Sequence, residues 1–410
     1  MTGMQQVSKE KKQEGTEAFL SGKLAQVDIA RIEKELKTLW QSASESGEEG
    51  GSVTRACAMN LILYSEDSDA ETVAGDVLDD ITTRHPCRAI LAISREAATP
   101  ALEAWVSARC HITDSKSGKQ ICCEQITVRS EGNGPNELAS VVLPLVISDL
   151  PVFLWWRAKK VNFANVKPFL SYVDELIVDS AKDEGSANFF ADVIHIIGAY
   201  LEEKHGAQIV VSDLNWRRCL LWREALALSF DHQHGHLSVA ALNDVHTVDI
   251  RYAADKVERI GSINQSLLYI GWLANRLGWQ FKAASKTKPG NFSVTFVAGK
   301  KEVLVNVSGL ECDASYIGNI CSVEVSFGDQ ALPSVLLQQT PGAPGVQMFA
   351  KASNDRSTQS LPQNFRFKVN QATEARLIDL ELETIDRDST LESAFRMAAV
   401  VADQIATKVK

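Results

Sequence analysis

Apolar residues in the first part of the chain recur at helical intervals. Between residues 25 and 43, Ile29, Ile32, Leu36 and Leu39 stand three or four apart with charges between them, which predicts an amphipathic helix. The rhythm then changes. TRACAMNLILYS (54–65) reads as a strand buried towards its end, and SDAETVAGDVLDDITTRHP (68–86) as a helix capped by Ser68 or Asp69 and stopped by Pro86. CRAILAIS (87–94) is a continuous apolar run, the pattern of a parallel strand covered on both faces. LEAWVSARCHI and KQICCEQITVRS predict two more strands joined hairpin-fashion through TDSKSGK. NELASVVLPLVI predicts a helix, Asp149-Leu150-Pro151 a turn, and VFLWWR and DELIVDS further strands.

The second half opens with helical patterns at 188–205 and 212–231, the latter capped by Ser212 or Asp213. A strand region follows at 236–253. INQSLLYIGWLANRLGW is an apolar helix whose end suits Gly278. WQFKAAS, NFSVTFVAG, KKEVLVNVSG, ICSVEVSFG and NFRFKVN alternate or are bounded by glycine, as strands do. The last element, 389–409, is an amphipathic helix with a capping box from Ser389 or Thr390 to Glu392 or Ser393. This order predicts an α/β (mixed α and β) protein of two domains, each a mixed sheet covered by helices. The expected division is a disordered lead-in at 1–20, an N-terminal domain at 21–180 that begins with the amphipathic helix, and a C-terminal domain at 181–410.

Composition narrows the function. With 410 residues, 45% hydrophobic, the chain can bury a large core without disulfides or metal. A net charge of −10 argues against a nucleic-acid partner. The polar N-terminus has no secretory apolar region, and Pro144, Asp149 and Pro151 interrupt the longest apolar run, so the expectation is a cytoplasmic protein outside the membrane. There the eight cysteines are mostly thiols.

Motifs that would carry catalysis are missing from the sequence. It contains no GxGxxG between strand and helix, no Walker loop, no GxSxG elbow, no HExxH and no zinc-type CxxC pair. EGNGPNELAS (131–140) resembles an anion-binding helix start but has no Lys or Arg in the loop, so it reads as a turn and helix cap. His232, His234 and His236 alternate, as zinc ligands on a strand would, yet Asp231 and Gly235 favour a solvated loop. No cofactor, metal or catalytic residue is assigned. Arg84 and Arg88, around a helix-to-strand turn, suit either an anion or salt bridges to the acidic helix DVLDD. Cys110 on one strand of the hairpin faces the region of Cys122 and Cys123 on the other. Buried inert thiols are the plain reading and redox sensing the sharper one.

Two segments are rich in Trp and Arg. LPLVISDLPVFLWWRA carries Trp155, Trp156 and Arg157, and a strand points the two rings to opposite faces. DLNWRRCLLWRE carries Trp216, Arg217, Trp222 and Arg223 beside leucines that already supply a core. These seven residues are candidates for a partner contact, because Trp and Arg concentrate binding energy at interfaces.

These segments, with LYIGWLANRLGW, HPCRAI and ICCEQI, in this order from about residue 50 to about residue 280, resemble the glucose-6-phosphate dehydrogenase assembly protein family, OpcA. The resemblance implies a non-enzymatic partner that promotes assembly or activity of glucose-6-phosphate dehydrogenase, and so NADPH production in the oxidative pentose phosphate pathway. It also implies a link to redox state through thioredoxin. Two alternatives stand beside it: a sugar-phosphate-binding α/β enzyme, with Arg84, His85, Arg88 and the EGNGPNE loop as its site, or a redox-responsive scaffold for another metabolic enzyme.

Overall fold

The computed structural model describes residues 29–407, apart from 46–52, 67–69, 115–118, 184–187, 204–208, 232–236, 255–262, 312–317, 340–345, 352–358 and 361–372 and the single positions 159, 289, 330, 333 and 384. Two eight-stranded sheets organise the chain. The first holds β1 (Val53–Arg55), β2 (Met59–Ser65), β3 (Cys87–Arg95), β4 (Ala101–Asp114), β5 (Lys119–Glu131), β6 (Val152–Arg157), β7 (Glu175–Val178) and β8 (Val210–Asp213). The second holds β9 (Val245–Ala254), β10 (Gln280–Lys288), β11 (Asn291–Ala298), β12 (Lys301–Glu311), β13 (Ile320–Phe327), β14 (Ser334–Gln339), β15 (Val346–Lys351) and β16 (Gln359–Ser360). The helices are α1 (Ile29–Glu45), α2 (Ala70–Thr82), α3 (Pro135–Val142), α4 (Phe163–Val166), α5 (Phe189–Glu203), α6 (Leu214–Arg218), α7 (Leu220–Leu228), α8 (Asn264–Arg276), α9 (Glu374–Glu381) and α10 (Ser389–Thr407).

The first sheet runs β1-β5-β3-β2-β6-β7-β8, with β4 also on β5, and every pairing is parallel except β4 with β5. Helical crossovers must cover both faces of such a sheet, which explains its continuous apolar strands. Alternate residues divide cleanly between the faces. Leu61, Leu63, Leu91, Phe153 and Trp155 pack under Val77, Leu78 and Ile81 of α2 and Leu377 and Ile378 of α9. Ile62, Tyr64, Ile90, Leu154 and Trp156 face the other way, towards Leu36 of α1, Val142 of α3 and Phe190 of α5. That second core continues without a break into the second sheet, through Leu268 and Tyr269 of α8 and Phe395 of α10, to Val248, Ile250 and Val305. The second sheet is antiparallel except where β12 runs parallel to β9, and its strands alternate buried with half-exposed residues.

The two-sheet α/β architecture is the one the pattern predicts. Several elements differ. The strand expected over 54–65 is two strands: β1 pairs with β5, and the chain then crosses to place β2 between β3 and β6. The helix expected over 212–231 starts from β8, and Cys219 divides it into α6 and α7. β8, β14, β15 and α9 have no counterpart in the sequence reading. The cap of α10 is Asp388, whose Oδ1 accepts from the Thr390 and Leu391 amides at 2.9 Å, in place of the expected Ser/Thr box. Gly278 takes a left-handed φ of 65° at the end of α8, as expected. Beyond residue 180, β8 joins the first sheet and α9 covers one of its faces. The lead-in, the Ser68/Asp69 cap, NFRFKVN and His232, His234 and His236 lie outside the described residues.

Candidate functional site

The C-terminal ends of parallel strands are where α/β sheets place ligands. At this end of the first sheet the chain fills the space with its own polar groups. Arg157, the last residue of β6, donates through Nε to Glu374 Oε1 at 3.1 Å, and Lys182 Nζ reaches the same oxygen at 2.8 Å. Glu374 opens α9, so a helix from the far end of the chain sits over the crevice between β6 and β7. Thr373 caps that helix by accepting from the Arg376 amide.

Next to it, Asp179 forms a fork with Arg218, at 2.7 and 2.9 Å. Asp213 caps α6: its Oδ1 accepts from the Asn215 amide at 2.9 Å and the Ser180 amide at 3.0 Å. Asn215 donates to Ser180 Oγ and accepts from Gln265 Nε2, both at 3.0 Å, and Gln265 Oε1 accepts from the Ile320 amide at 2.6 Å. This relay ties the first sheet, through α6 and α8, to β13 of the second. Burial, opposed by the Ser212 hydrogen bond and aided by nearby Glu381, pushes the Glu175 carboxyl up to about 8. Burial, with Asp179 adding repulsion, pushes Asp213 up to about 7. Two carboxyls at this end therefore hold protons near neutrality. Sequence reasoning offered Asp213 only as a cap and missed Glu175, because a lone acid in an apolar strand carries no motif.

The seven Trp/Arg candidates lie on β6, α6 and α7, and the tryptophans among them do not present their rings. Trp155, Trp156, Trp216 and Trp222 are all buried, none more than 4% exposed. Arg157 lies over the Trp155 ring, 5.7 Å from its centroid. Arg223 lies over Trp216 at 3.3 Å and donates to its carbonyl, and Trp216 Nε1 donates to Asp388 Oδ2 at 2.8 Å. Arg217 forks onto Glu381 of α9 at 2.5 and 2.9 Å and is 33% exposed. Trp155 and Trp216 thus support Arg157 and Arg223 from beneath.

Arg84 and Arg88 do make salt bridges, but with partners distant in sequence. Arg84 and His85 meet Asp379 of α9 at 2.8 and 3.0 Å, whereas Arg88 is buried against Glu124 at 2.7 Å and Glu33 at 3.0 Å. The expected acidic helix gives its Asp79 to Arg109 instead. The 131–134 loop is a turn: Gly132 has a φ of 68° and Gly134 caps α3. Cys122 is disulfide-bonded, and Cys110 is the residue opposite it in the β4–β5 ladder. Cys123 is a free thiol, so the two neighbours do not bond each other. Burial raises Cys123 to about 11 and Cys219 to about 12, away from reactivity. Among the described residues no three His, Cys, Asp or Glu side chains converge to hold a metal ion, and no helix is long and apolar enough to cross a membrane.

Comparison with known proteins gives two consecutive family matches. Residues 78–194 match the family described as glucose-6-phosphate dehydrogenase subunit N-terminal domain, with the family name OpcA_G6PD_assem, and residues 209–395 match its C-terminal domain counterpart. Two curated relatives are named "Putative OxPP cycle protein OpcA". That of Nostoc punctiforme is 33% identical over 53% of this chain and 43% of its own length. That of Synechocystis is 26% identical over 90% of this chain and 73% of its own length. The match to the Nostoc protein thus covers less than half of it. Among solved structures, a Gfo/Idh/MocA family oxidoreductase from Vibrio cholerae is 12% identical over 86% of this chain and 98% of its own, with a TM-score of 0.44. A dehydrogenase (MviM) from Clostridium difficile is 9% identical over 86% of this chain and 99% of its own, with a TM-score of 0.46. Likeness of that degree carries no functional argument.

Proposed function

The chain belongs to the OpcA family, and on that premise we propose that it is a non-catalytic assembly factor and allosteric activator of glucose-6-phosphate dehydrogenase, acting in the cytoplasm and supporting NADPH production in the oxidative pentose phosphate pathway. The observation that carries the reading is the pair of family matches, in order, along both halves of the chain. The strand-end crevice supports its non-catalytic part. Glu374, Arg157 and Lys182 fill the ends of β6 and β7 with the chain's own polar groups, and the segment after β2, the strand at which the sheet order reverses, is Glu66-Asp67-Ser68-Asp69, acidic where a phosphate-binding loop would be glycine-rich.

An activator works by binding the active form of its target more tightly than the inactive one. A tenfold gain in apparent substrate affinity needs about 1.4 kcal/mol of coupling. We assign the contact to the helical surface around Arg217, which Glu381 holds in place, with Trp155 and Trp216 as the rigid support beneath Arg157 and Arg223. Redox response, through a thioredoxin-type reductant, is assigned to Cys122, because it is disulfide-bonded, whereas burial holds the free thiols Cys123 and Cys219 protonated. The deciding experiment is co-purification with the dehydrogenase followed by a rate assay with and without the chain. Retention together with a raised rate supports the reading; no retention and an unchanged rate removes it. Turnover of glucose 6-phosphate or 6-phosphogluconolactone by the purified chain alone would restore the enzyme alternative.

A further inference from the structure

Arg157 of β6, Arg217 and Arg218 of α6 and Arg223 of α7 differ in how their charge is met. Arg157 donates to Glu374, Arg217 forks onto Glu381 and Arg218 onto Asp179. Arg223 has no such carboxylate. Among the described residues its one hydrogen bond runs from Nη2 to the Trp216 carbonyl at 3.2 Å, and no carboxylate oxygen lies within ion-pair reach. Its guanidinium stands 3.3 Å from the centroid of the Trp216 ring. Nε is shut from solvent without an acceptor, whereas Nη1, equally without a protein acceptor, keeps contact with solvent. The neighbouring acids do not pair with it. Asp388 is committed to Trp216 Nε1 and to the Thr390 and Leu391 amides, and Glu224 is exposed. Burial pulls the Arg223 pKa below the ordinary arginine value. Hydrogen bonds to Glu381 raise that of Arg217, and despite burial Asp179 raises that of Arg218. A half-buried guanidinium without a counter-charge is costly to keep. Three residues before it on α7, Leu220 is 36% exposed, so an apolar side chain and an unpaired cation are neighbours on one helix surface.

We propose that Arg223 is the anchor of the dehydrogenase contact: a carboxylate side chain of that partner accepts from its Nη1, and an apolar residue beside that carboxylate covers Leu220. The proposal rests on the reading of this helical surface as the contact, and it adds the chemistry of what docks there. A carboxylate suits the position better than a phosphate group. Its single charge balances one guanidinium, whereas a phosphate brings further charge towards Asp388 and Glu224. A small free anion also leaves Leu220 uncovered, and a protein surface supplies both groups. Trp216 is 3% exposed and gives the guanidinium a fixed seat, so little side-chain freedom remains to be lost on binding. Stacked Arg and Trp are the residues in which interface energy concentrates.

The test is calorimetric titration of purified glucose-6-phosphate dehydrogenase into the full chain, at low and at raised sodium chloride. The expected result is binding that weakens with salt. Arg223→Met should weaken it about tenfold or more and make the salt dependence shallower. Arg223→Lys should restore it only in part, since it keeps the charge and loses the planar stack. Leu220→Glu is the second variant, and it changes an exposed position, so it keeps the test decisive even where Arg223→Met does not fold. Its carboxylate stands three residues before Arg223 on α7 and occupies the guanidinium from within the chain, so dehydrogenase binding should again fall about tenfold or more. Binding undiminished in the folded variants overturns this proposal and leaves the assembly reading intact. Failure of the unaltered chain to bind the dehydrogenase overturns that reading and the anchor with it. Stronger displacement of the dehydrogenase by inorganic phosphate than by chloride at matched ionic strength also overturns the proposal, because the seat then prefers a phosphate to a carboxylate.

Discussion

Trp155 and Trp156 share a strand but not an environment. Trp156 stacks on Tyr64 with ring centroids 3.9 Å apart and donates through Nε1 to the Lys160 carbonyl at 2.9 Å. Trp155 faces α9, and its Nε1 is buried without an acceptor. A phenylalanine substitution should separate the two. Trp156→Phe loses a hydrogen bond, whereas Trp155→Phe removes a donor that has no partner. Trp156→Phe is therefore expected to be the more destabilising by about 1 kcal/mol, read from urea midpoints at equal slope. Truncation of either ring to alanine is expected to cost about 3–5 kcal/mol.

Protonation at the same end of the sheet gives a second residue-scale prediction. Glu175, raised to about 8, and Asp213, raised to about 7, bind protons more tightly folded than unfolded. Their contribution is fully present below the ordinary carboxylate range and is lost as pH rises through about 7 to 8. Stability should thus decline between pH 5 and pH 8.5, by about a few kcal/mol at most. Glu175→Gln should flatten that decline. A denaturation midpoint that rises over this range, or a slope that the substitution leaves alone, contradicts the assignment.

At the scale of elements, two contacts decide how distant segments meet. Helix α9 is anchored to the first layer by Asp379, which is 1% exposed and accepts from Arg84 and His85, and by the apolar pair Leu377 and Ile378. Asp379→Ala strands these partners, and a loss of about 2–4 kcal/mol is expected. Limited proteolysis should then cut near residues 373–382 before the rest of the chain; unchanged protection there would show that the apolar pair alone holds the helix. Helix α8 meets α10 through Gly271, where an added Cβ would stand 2.4 Å from the Ala394 carbonyl oxygen. Backbone leaves no room to yield, so Gly271→Ala is expected to cost about 1–3 kcal/mol despite the better helix propensity of alanine, measured as a fall in Tm.

At the scale of the molecule, one apolar core passes from the first sheet through α5, α8 and α10 into the second, and the Asp213–Asn215–Gln265 relay joins the same layers. The two sheets are expected to unfold together, with fluorescence and far-ultraviolet dichroism giving coincident denaturation curves. Separate transitions would mean that the shared core contributes little coupling. The same rigidity suits the proposed activator role, because a partner surface held in one geometry transmits binding energy without first being ordered.

The alternation and length of the apolar runs were enough to identify most strands of both sheets, α1, α2, α5, α8 and α10, and the opposite-facing pair Trp155 and Trp156, since each depends only on residues near in sequence. Family membership was also legible, from ordered short segments rich in Trp and Arg. Tertiary structure alone decided the rest. Arg84 and His85 ignore the acidic helix beside them for Asp379 nearly three hundred residues away, because α9 docks on α2. Glu175 and Asp213 hold protons only because the fold removes water from them, and burial is a property of neighbours that no local pattern encodes. Trp155, Trp156, Trp216 and Trp222, candidates for a partner contact in the sequence, are buried, because the packing around them comes from distant parts of the chain.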